Sequence, residues 1–298
     1  MILNHCFKIH GLILVTTLSM VIGFVSPAFG EETHSYLIGL NNWEVTLLGT
    51  LGGGYSIGNG INNAGQVVGY SLTAPGQRHA FITGPNGLGM TDLGTLGGNE
   101  SYASGINDAG QVVGYSYTAA GQPHAFITGP NGLGMKDLGT LPTLGGLDGS
   151  YAYGINDAGQ VVGSSFTITT AAGQTEHAFI TGPNGVGMTD LGTLGGDYSF
   201  VSAASGINDA GQVVGNSYSA VGPVHAFITG PNGVGMTDLN SLAELSAIYR
   251  ISSAIDINNN GQILVVAGIP EPQSYALMLA GLGLIGFVAW RQKSGSRI

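Results

Sequence analysis

The chain has 298 residues, of which 8% are charged, with 53 glycines, 11 prolines and one cysteine. Of its seven Lys and Arg, only Arg78, Lys136 and Arg250 lie between Glu31 and Pro272, against all 17 Asp and Glu, leaving that region at −14. A body so acidic repels nucleic acid, and Cys6 alone supports neither a disulfide nor a cysteine metal site.

The N-terminal residues carry Lys8, then an uncharged, mostly apolar run from Gly11 to Val25, then Ala28-Phe29-Gly30 just before Glu31. This order predicts a secretory signal peptide over residues 1–30, and Cys6 leaves with it. Export without disulfides needs a sizeable core, which the roughly 240 residues of 31–268 are long enough to bury.

From there the chain is an array of copies. The word His-Ala-Phe-Ile-Thr-Gly-Pro-Asn-Gly recurs with its His at 79, 124, 177 and 225, and a worn copy begins at His34, giving spacings of 45, 45, 53 and 48 residues. Glycine-rich composition alone would suggest disorder, but apolar residues at fixed places in every copy argue for a packed core. Each copy reads as four short strands, in the second copy around Ala103–Asn107, Gln111–Ser116, His124–Thr128 and Met135–Leu138. Asn107-Asp108-Ala109-Gly110 and Gly129-Pro130-Asn131-Gly132 are the tight links, because Gly and Asn tolerate positive φ and Pro presets a turn. Helical character is expected only in Leu239–Ile248, for a turn or two.

Four antiparallel strands per period describe a propeller blade. The array enters on the second half of a copy, His34 to Leu51, and leaves on the first half of another, Ser253 to Gly268. Two halves make a fifth blade, and joining them removes exposed sheet edges. The predicted fold is all-β, a five-bladed β-propeller over 31–268, with an open β-solenoid as the alternative.

The first and third links keep one length in every copy while the second and fourth vary, which predicts a uniform end and a variable, function-bearing end. The variable loops hold Tyr102 with Glu100, Tyr151 with Asp148 and Tyr198 with Asp197; Tyr55 and Tyr249 precede the outer first strands. An aromatic face beside a carboxylate suits a pyranose, and the alternative is that these rings pack the seams between blades. The repeated His34, His79, His124, His177 and His225 are read as structural, each imidazole tying its strand to a neighbouring loop. On separate blades they converge on a metal only if their strand lines the axis. Asp256-Ile257-Asn258-Asn259-Asn260-Gly261 opens like a calcium loop, but Ala267 stands where the bidentate Glu belongs, so a hairpin turn is expected. No metal or cofactor is expected. The recurrent Asp92, Asp137, Asp190 and Asp238, and Asp108, Asp157 and Asp209, read as architecture and not as the two unlike carboxylates of a glycosidase.

Pro270-Glu271-Pro272 precedes an uncharged, mostly apolar stretch to Trp290 and then Arg291, Lys293 and Arg297. Residues about 274–290 are predicted to form a transmembrane helix with its basic end in the cytoplasm. The segment 269–298 closely resembles the PEP-CTERM sorting signal of Gram-negative bacteria, with Arg291-Gln292-Lys293 where that signal usually has a denser arginine cluster. The resemblance implies that Pro270, Glu271 and Pro272 are the sorting motif and that an exosortase is the processing partner. It also implies an inner-membrane precursor, then the cell surface or extracellular matrix, in bacteria that make exopolysaccharide. Residues 34 to 268, with their Ile-Asn and His-Ala-Phe words, resemble the HAF-repeat family of extracellular proteins, which brings no established activity. The whole reads as a non-enzymatic, secreted cell-surface or biofilm-matrix protein. The alternatives are a lectin-like propeller that binds exopolysaccharide and, third, a carbohydrate-active enzyme.

Overall fold

The computed structural model describes residues 33–40, 43–143, 148–168, 174–195, 202–219, 224–242, 250–268, 280 and 282–284. The chain divides into two units, Met1–Thr33 and His34–Ile298, and all described residues but Thr33 fall in the second. The predicted signal peptide, Asp197, Tyr198, Tyr249, Pro270-Glu271-Pro272 and nearly all of 274–290 lie outside the described residues. Among the described residues no helix is long and apolar enough to cross a membrane.

The described fold is all-β. β1 (Tyr36–Gly39) and β2 (Glu44–Leu47) form a two-stranded antiparallel sheet. Four antiparallel four-stranded meanders follow: β3 (Gly52–Ile61), β4 (Val67–Thr73), β5 (Arg78–Thr83) and β6 (Met90–Asp92); β7 (Gly97–Ile106), β8 (Val112–Thr118), β9 (Pro123–Thr128) and β10 (Met135–Gly139); β11 (Ser150–Ile155), β12 (Val161–Ile168), β13 (Gln174–Gly182) and β14 (Val186–Gly192); β15 (Ala203–Ile207), β16 (Val213–Tyr218), β17 (Val224–Thr229) and β18 (Met236–Asp238). β19 (Arg250–Ile257) and β20 (Ile263–Gly268) end the series as a second two-stranded sheet. In Leu239–Ile248 the described part is one 3₁₀ turn, Leu239–Ser241, capped by the Asp238 side chain on Asn240 N.

The turn words determine where strands reverse. In each Pro-Asn-Gly turn the asparagine (Asn86, Asn131, Asn184 and Asn232) holds φ of 55–57°, a region that short polar side chains and glycine tolerate best. This turn bonds to the first link of its own sheet, Gly132 N donating to Gly110 O at 3.0 Å. Both fixed-length links therefore sit at one end of the sheet.

Successive residues on a strand enter opposite seams. Val112 packs with Val68, Ala80 and Ile82 of the preceding sheet, while its neighbour Val113 packs with Ala152, Val161 and Phe179 of the next. Phe81, Phe126, Phe179 and Phe227, one per meander, are fully buried. The first strands β3, β7, β11, β15 and β19 surround a cavity of about 360 Å³ lined by Ile61, Ile106, Ile155, Ile207 and Ile257 and by the turns after them. The histidines, on third strands, are not among the residues that line it.

The end sheets are two halves of one meander. β1–β2 has the register of β5–β6, with Tyr36 opposite Leu47 where Phe81 faces Asp92. β19–β20 has that of β7–β8, with Ile257 opposite Ile263 where Ile106 faces Val112. Leu37 and Leu48 pack on Val67 and Phe81; Ile251, Ala254 and Ile257 pack on Val214 and Ala226. Among the described residues, however, β20 pairs only with β19 and β1 only with β2. Tyr36, in the place of the buried phenylalanines, is 57% exposed, and Leu264, in the place of Val113, is 59% exposed. The expected pairing of the two halves is not among the described ladders.

One glycine in each meander is fixed by backbone proximity. A Cβ on Gly114 would lie 1.9 Å from Tyr102 O, whereas one on Gly54 meets nothing within 4 Å. Gly114→Ala is expected to destabilise by about 1–3 kcal/mol or more, and Gly54→Ala to stay within about 0.5 kcal/mol of the parent. Denaturant melts of the two variants check this.

Candidate functional site

The meanders carry two side-chain arrangements, one on their third and fourth strands and one on their first and second. In the first, His79 Nδ1 lies 2.8 Å from Asp92 Oδ2, His124 Nδ1 2.8 Å from Asp137 Oδ2, His177 Nδ1 2.8 Å from Asp190 Oδ2 and His225 Nδ1 2.7 Å from Asp238 Oδ2. An ionised carboxylate only accepts, so Nδ1 carries the proton. The other Asp oxygen accepts a backbone N–H two residues on, from Gly94, Gly139, Gly192 or Asn240. The imidazole partner is thus the Asp of the adjacent fourth strand and not a neighbouring loop, which corrects the sequence expectation: third and fourth strands are next to each other in the ladder, and the Asp reaches both His and the turn beyond. His34 stands ahead of β1, where Leu47 occupies the position of that Asp.

The second arrangement is a row of aromatic rings across the first three meanders. Tyr55 meets Tyr70 (centroids 6.3 Å apart), Tyr70 meets Tyr102 (5.0 Å), Tyr102 stacks on Tyr115 (4.8 Å, 17° between planes), and Tyr115 meets Tyr151 (5.0 Å), which meets Phe166 (6.4 Å). Tyr117 branches from Tyr115 at 6.3 Å. All seven rings are half-buried. At one end Tyr102 OH donates to Glu100 Oε2 (2.7 Å), Arg78 Nη1 lies 3.2 Å from Glu100 Oε1, and Arg78 Nε donates to Tyr55 OH (2.7 Å). Burial pushes the Tyr115 phenol up to about 12. Burial and then the bond to Glu100 hold the Tyr102 phenol above its ordinary range, so both keep their protons at neutral pH.

Of the sequence-selected pairs, Tyr102 and Glu100 are in direct contact. Tyr151 packs on Tyr115 and Phe166, while Asp148 accepts from Thr143 Oγ1 at 2.5 Å. Tyr198 and Asp197 lie outside the described residues. Tyr102 and Tyr151 stand inside strands β7 and β11 and not in the loops before them, because the first strand of a meander runs further back than its apolar core: β7 starts at Gly97, opposite Thr118. Tyr70, Tyr115, Tyr117, Phe166 and Arg78 were not singled out from sequence; the signal available was that Tyr70 and Tyr115 follow the Gln-Val-Val-Gly word directly. Among the described residues no group of three or more His, Cys, Asp or Glu is placed to hold a metal ion.

Burial alone would raise the Asp190 carboxyl, but the hydrogen bonds from His177 and Gly192 outweigh it and hold the group below its ordinary range. A depressed folded-state value stabilises above the unfolded value and is lost as pH falls through the folded one. The melting temperature should therefore drop as pH is lowered below about 4, and Asp190→Asn should lower it at neutral pH and make that acid limb shallower. Thermal melts followed by circular dichroism across pH 3–7 test both.

Residues 268–294 match the PEP-CTERM protein-sorting motif, a substrate signal for exosortase processing that directs an exported protein to the cell surface. No curated protein sequence matches the chain. Among solved structures the chain is similar to TolB from Acinetobacter baumannii, at 13% identity and TM-score 0.42 over 66% of this chain and 46% of that one. It is similar to a protein assigned as TolB from Agrobacterium tumefaciens, at 12% identity and TM-score 0.48 over 80% and 84%, and to a puromycin hydrolase variant, at 13% and 0.40 over 76% and 35%. The chain spans less than half of the first of these and about a third of the last.

Proposed function

We propose that the chain is a secreted, non-enzymatic component of the cell surface or biofilm matrix, sorted by an exosortase, whose body closes as a five-bladed propeller. The sorting motif at 268–294 carries the cellular part of this reading. Its apolar stretch would hold the precursor in the inner membrane until processing near Pro-Glu-Pro. The structural role is supported by where the recurrent carboxylates go. Asp92, Asp137, Asp190 and Asp238 are each bonded to a histidine, while Asp108, Asp157 and Asp209 accept backbone N–H bonds from the preceding sheet's Asn63, Asp108 and Asp157.

The closed ring is supported by matching registers in the end sheets and by a cavity lined from both β3 and β19. The β8–β9 ladder sets Gly114 opposite Phe126, so the same ladder at the ring junction brings Val265 opposite Tyr36.

Replacing Tyr36 and Val265 by Cys tests the junction, since Cys6 is the only other thiol and precedes the predicted cleavage site. An intramolecular disulfide in the exported protein is the expected result. Free thiols, or disulfides only between copies, would refute closure within one chain. For sorting, Glu271→Ala is expected to leave the precursor in the inner membrane, and mass spectrometry of wild-type surface material should recover no peptide from Leu277 to Arg291. Recovery of such peptides would sink the processing step.

A further inference from the structure

We infer that the aromatic row Tyr55–Tyr70–Tyr102–Tyr115–Tyr151–Phe166 is a binding platform for a neutral, linear polysaccharide. The internal repeats provide the first warrant. Positions that build the meander are the same in all four: the buried Phe, the two buried Val of the second strand, the Ala after His, and the His–Asp pair. The row uses positions that are not. Where the second meander has Tyr102, the others have Ile57, Tyr151 and Ala203; where it has Tyr115, they have Tyr70, Ser164 and Asn216. The fourth meander packs with Ala and Asn at these places, so the fold does not require the rings.

The second warrant is chemical. The rings stay part-exposed in an unbroken line from β3 to β12 although Tyr102 and Tyr115 stack on one another, which leaves a continuous apolar strip for the C–H faces of successive sugars to cover. Tyr and Arg hydrogen-bonding groups at one end suit hydroxyls, and phenols that keep their protons remain donors. Arg78 and Glu100 neutralise one another at 3.2 Å, and the carboxylate left beside the row, Glu176 opposite Phe166, would repel an anionic ligand while accepting hydrogen bonds from a neutral one. The region from Glu31 to Pro272, at −14, disfavours polyanions. A chain-like ligand is favoured over a single sugar because shallow ring contacts add along a line and gain from linkage. Such binding requires neither ring closure nor sorting.

The test is affinity electrophoresis of the purified full-length protein through gels containing hydroxyethylcellulose or galactomannan, with alginate as the acidic control and the matching monosaccharides as competitors. Retardation by at least one neutral polymer, weak competition by monosaccharide and no retardation by alginate are expected. Tyr102→Ala with Tyr115→Ala should weaken retardation at least about tenfold, while Tyr102→Phe with Tyr115→Phe should keep most of it. If the alanine pair does not fold, Tyr117→Ala, which removes a peripheral ring, should still reduce binding without a comparable loss of melting temperature. No retardation by either neutral polymer, or retardation unchanged in folded alanine variants, overturns the inference; so does retardation by alginate alone.

Discussion

The described meanders share no strand ladder with one another, so the seams between them depend on packed apolar side chains and on the polar bonds that cross them, of which one buried asparagine per meander makes the most regular. Asn62 Oδ1 accepts from Ala64 N and Gln66 N, and its Nδ2 donates to Gln66 Oε1 and, across the seam, to Asn107 O at 3.1 Å. The same side chain therefore shapes the turn and fastens the next sheet. Asn107, Asn156 and Asn208 repeat the bond to Asn156 O, Asn208 O and Asn258 O. Gln66, Gln111 and Gln160 extend it to Asn131, Asn184 and Asn232 in the next meander's Pro-Asn-Gly turn. Because each amide is fully engaged and buried, losing one partner strands the others at about 1–3 kcal/mol. A second fastening lies further along the first strands, where Ser101 Oγ accepts Ala80 N across the seam and donates to Gly94 O.

This arrangement separates positions that hold sheets together from positions free to vary. Asn, Gln, Ser, Phe and the paired Val recur because each faces a neighbouring copy of itself. The fourth seam departs from the rule in a telling way: Ala254 N is taken by Asn216 Oδ1, the residue that replaces Tyr115, and Ile251 is held by Asn240. The terminal sheet thus docks with its own set of polar contacts, and the aromatic row stops where that set begins.

Much of this was legible in the sequence. Strand positions followed from the words themselves, since Val-Val and Phe-Ile pairs between Gly and Asn turns leave the chain little choice of where to reverse. The sharing of one end by the first and third links followed from their constant length. What sequence did not give was three-dimensional adjacency. Glu100 marks Tyr102 in the sequence, but its stacking partner Tyr115 faces it only through the register of the bulged β7–β8 hairpin, and Tyr70 lies across a seam. The His–Asp pair was missed as a pair for the same reason: 13 residues apart in sequence, the two meet only because the Pro-Asn-Gly hairpin fixes the register.

The balance of forces at the two half-sheets explains why their pairing is a reasonable end state for the proposed ring. Joining distant chain ends normally costs loop-closure entropy that grows with the logarithm of the intervening length. Here each half is already docked on its own neighbour, β1–β2 on Val67 and Phe81 and β19–β20 on Val214 and Ala226, and β19 lines the same cavity as β3. Most of that ordering is therefore complete before the edges meet. What pairing adds is a ladder for two strand edges that have no partner among the described residues and cover for Tyr36 and Leu264, at about 1.5–3 kcal/mol for each large apolar side chain fully buried. Asn258, whose amide holds Gln262 Oε1 but, among the described residues, makes no bond to the Asn62 carbonyl, would then gain the contact that its four counterparts make. Left apart, the same edges are templates for any other strand, an exposure that a protein held at high density on a surface would meet as association between copies.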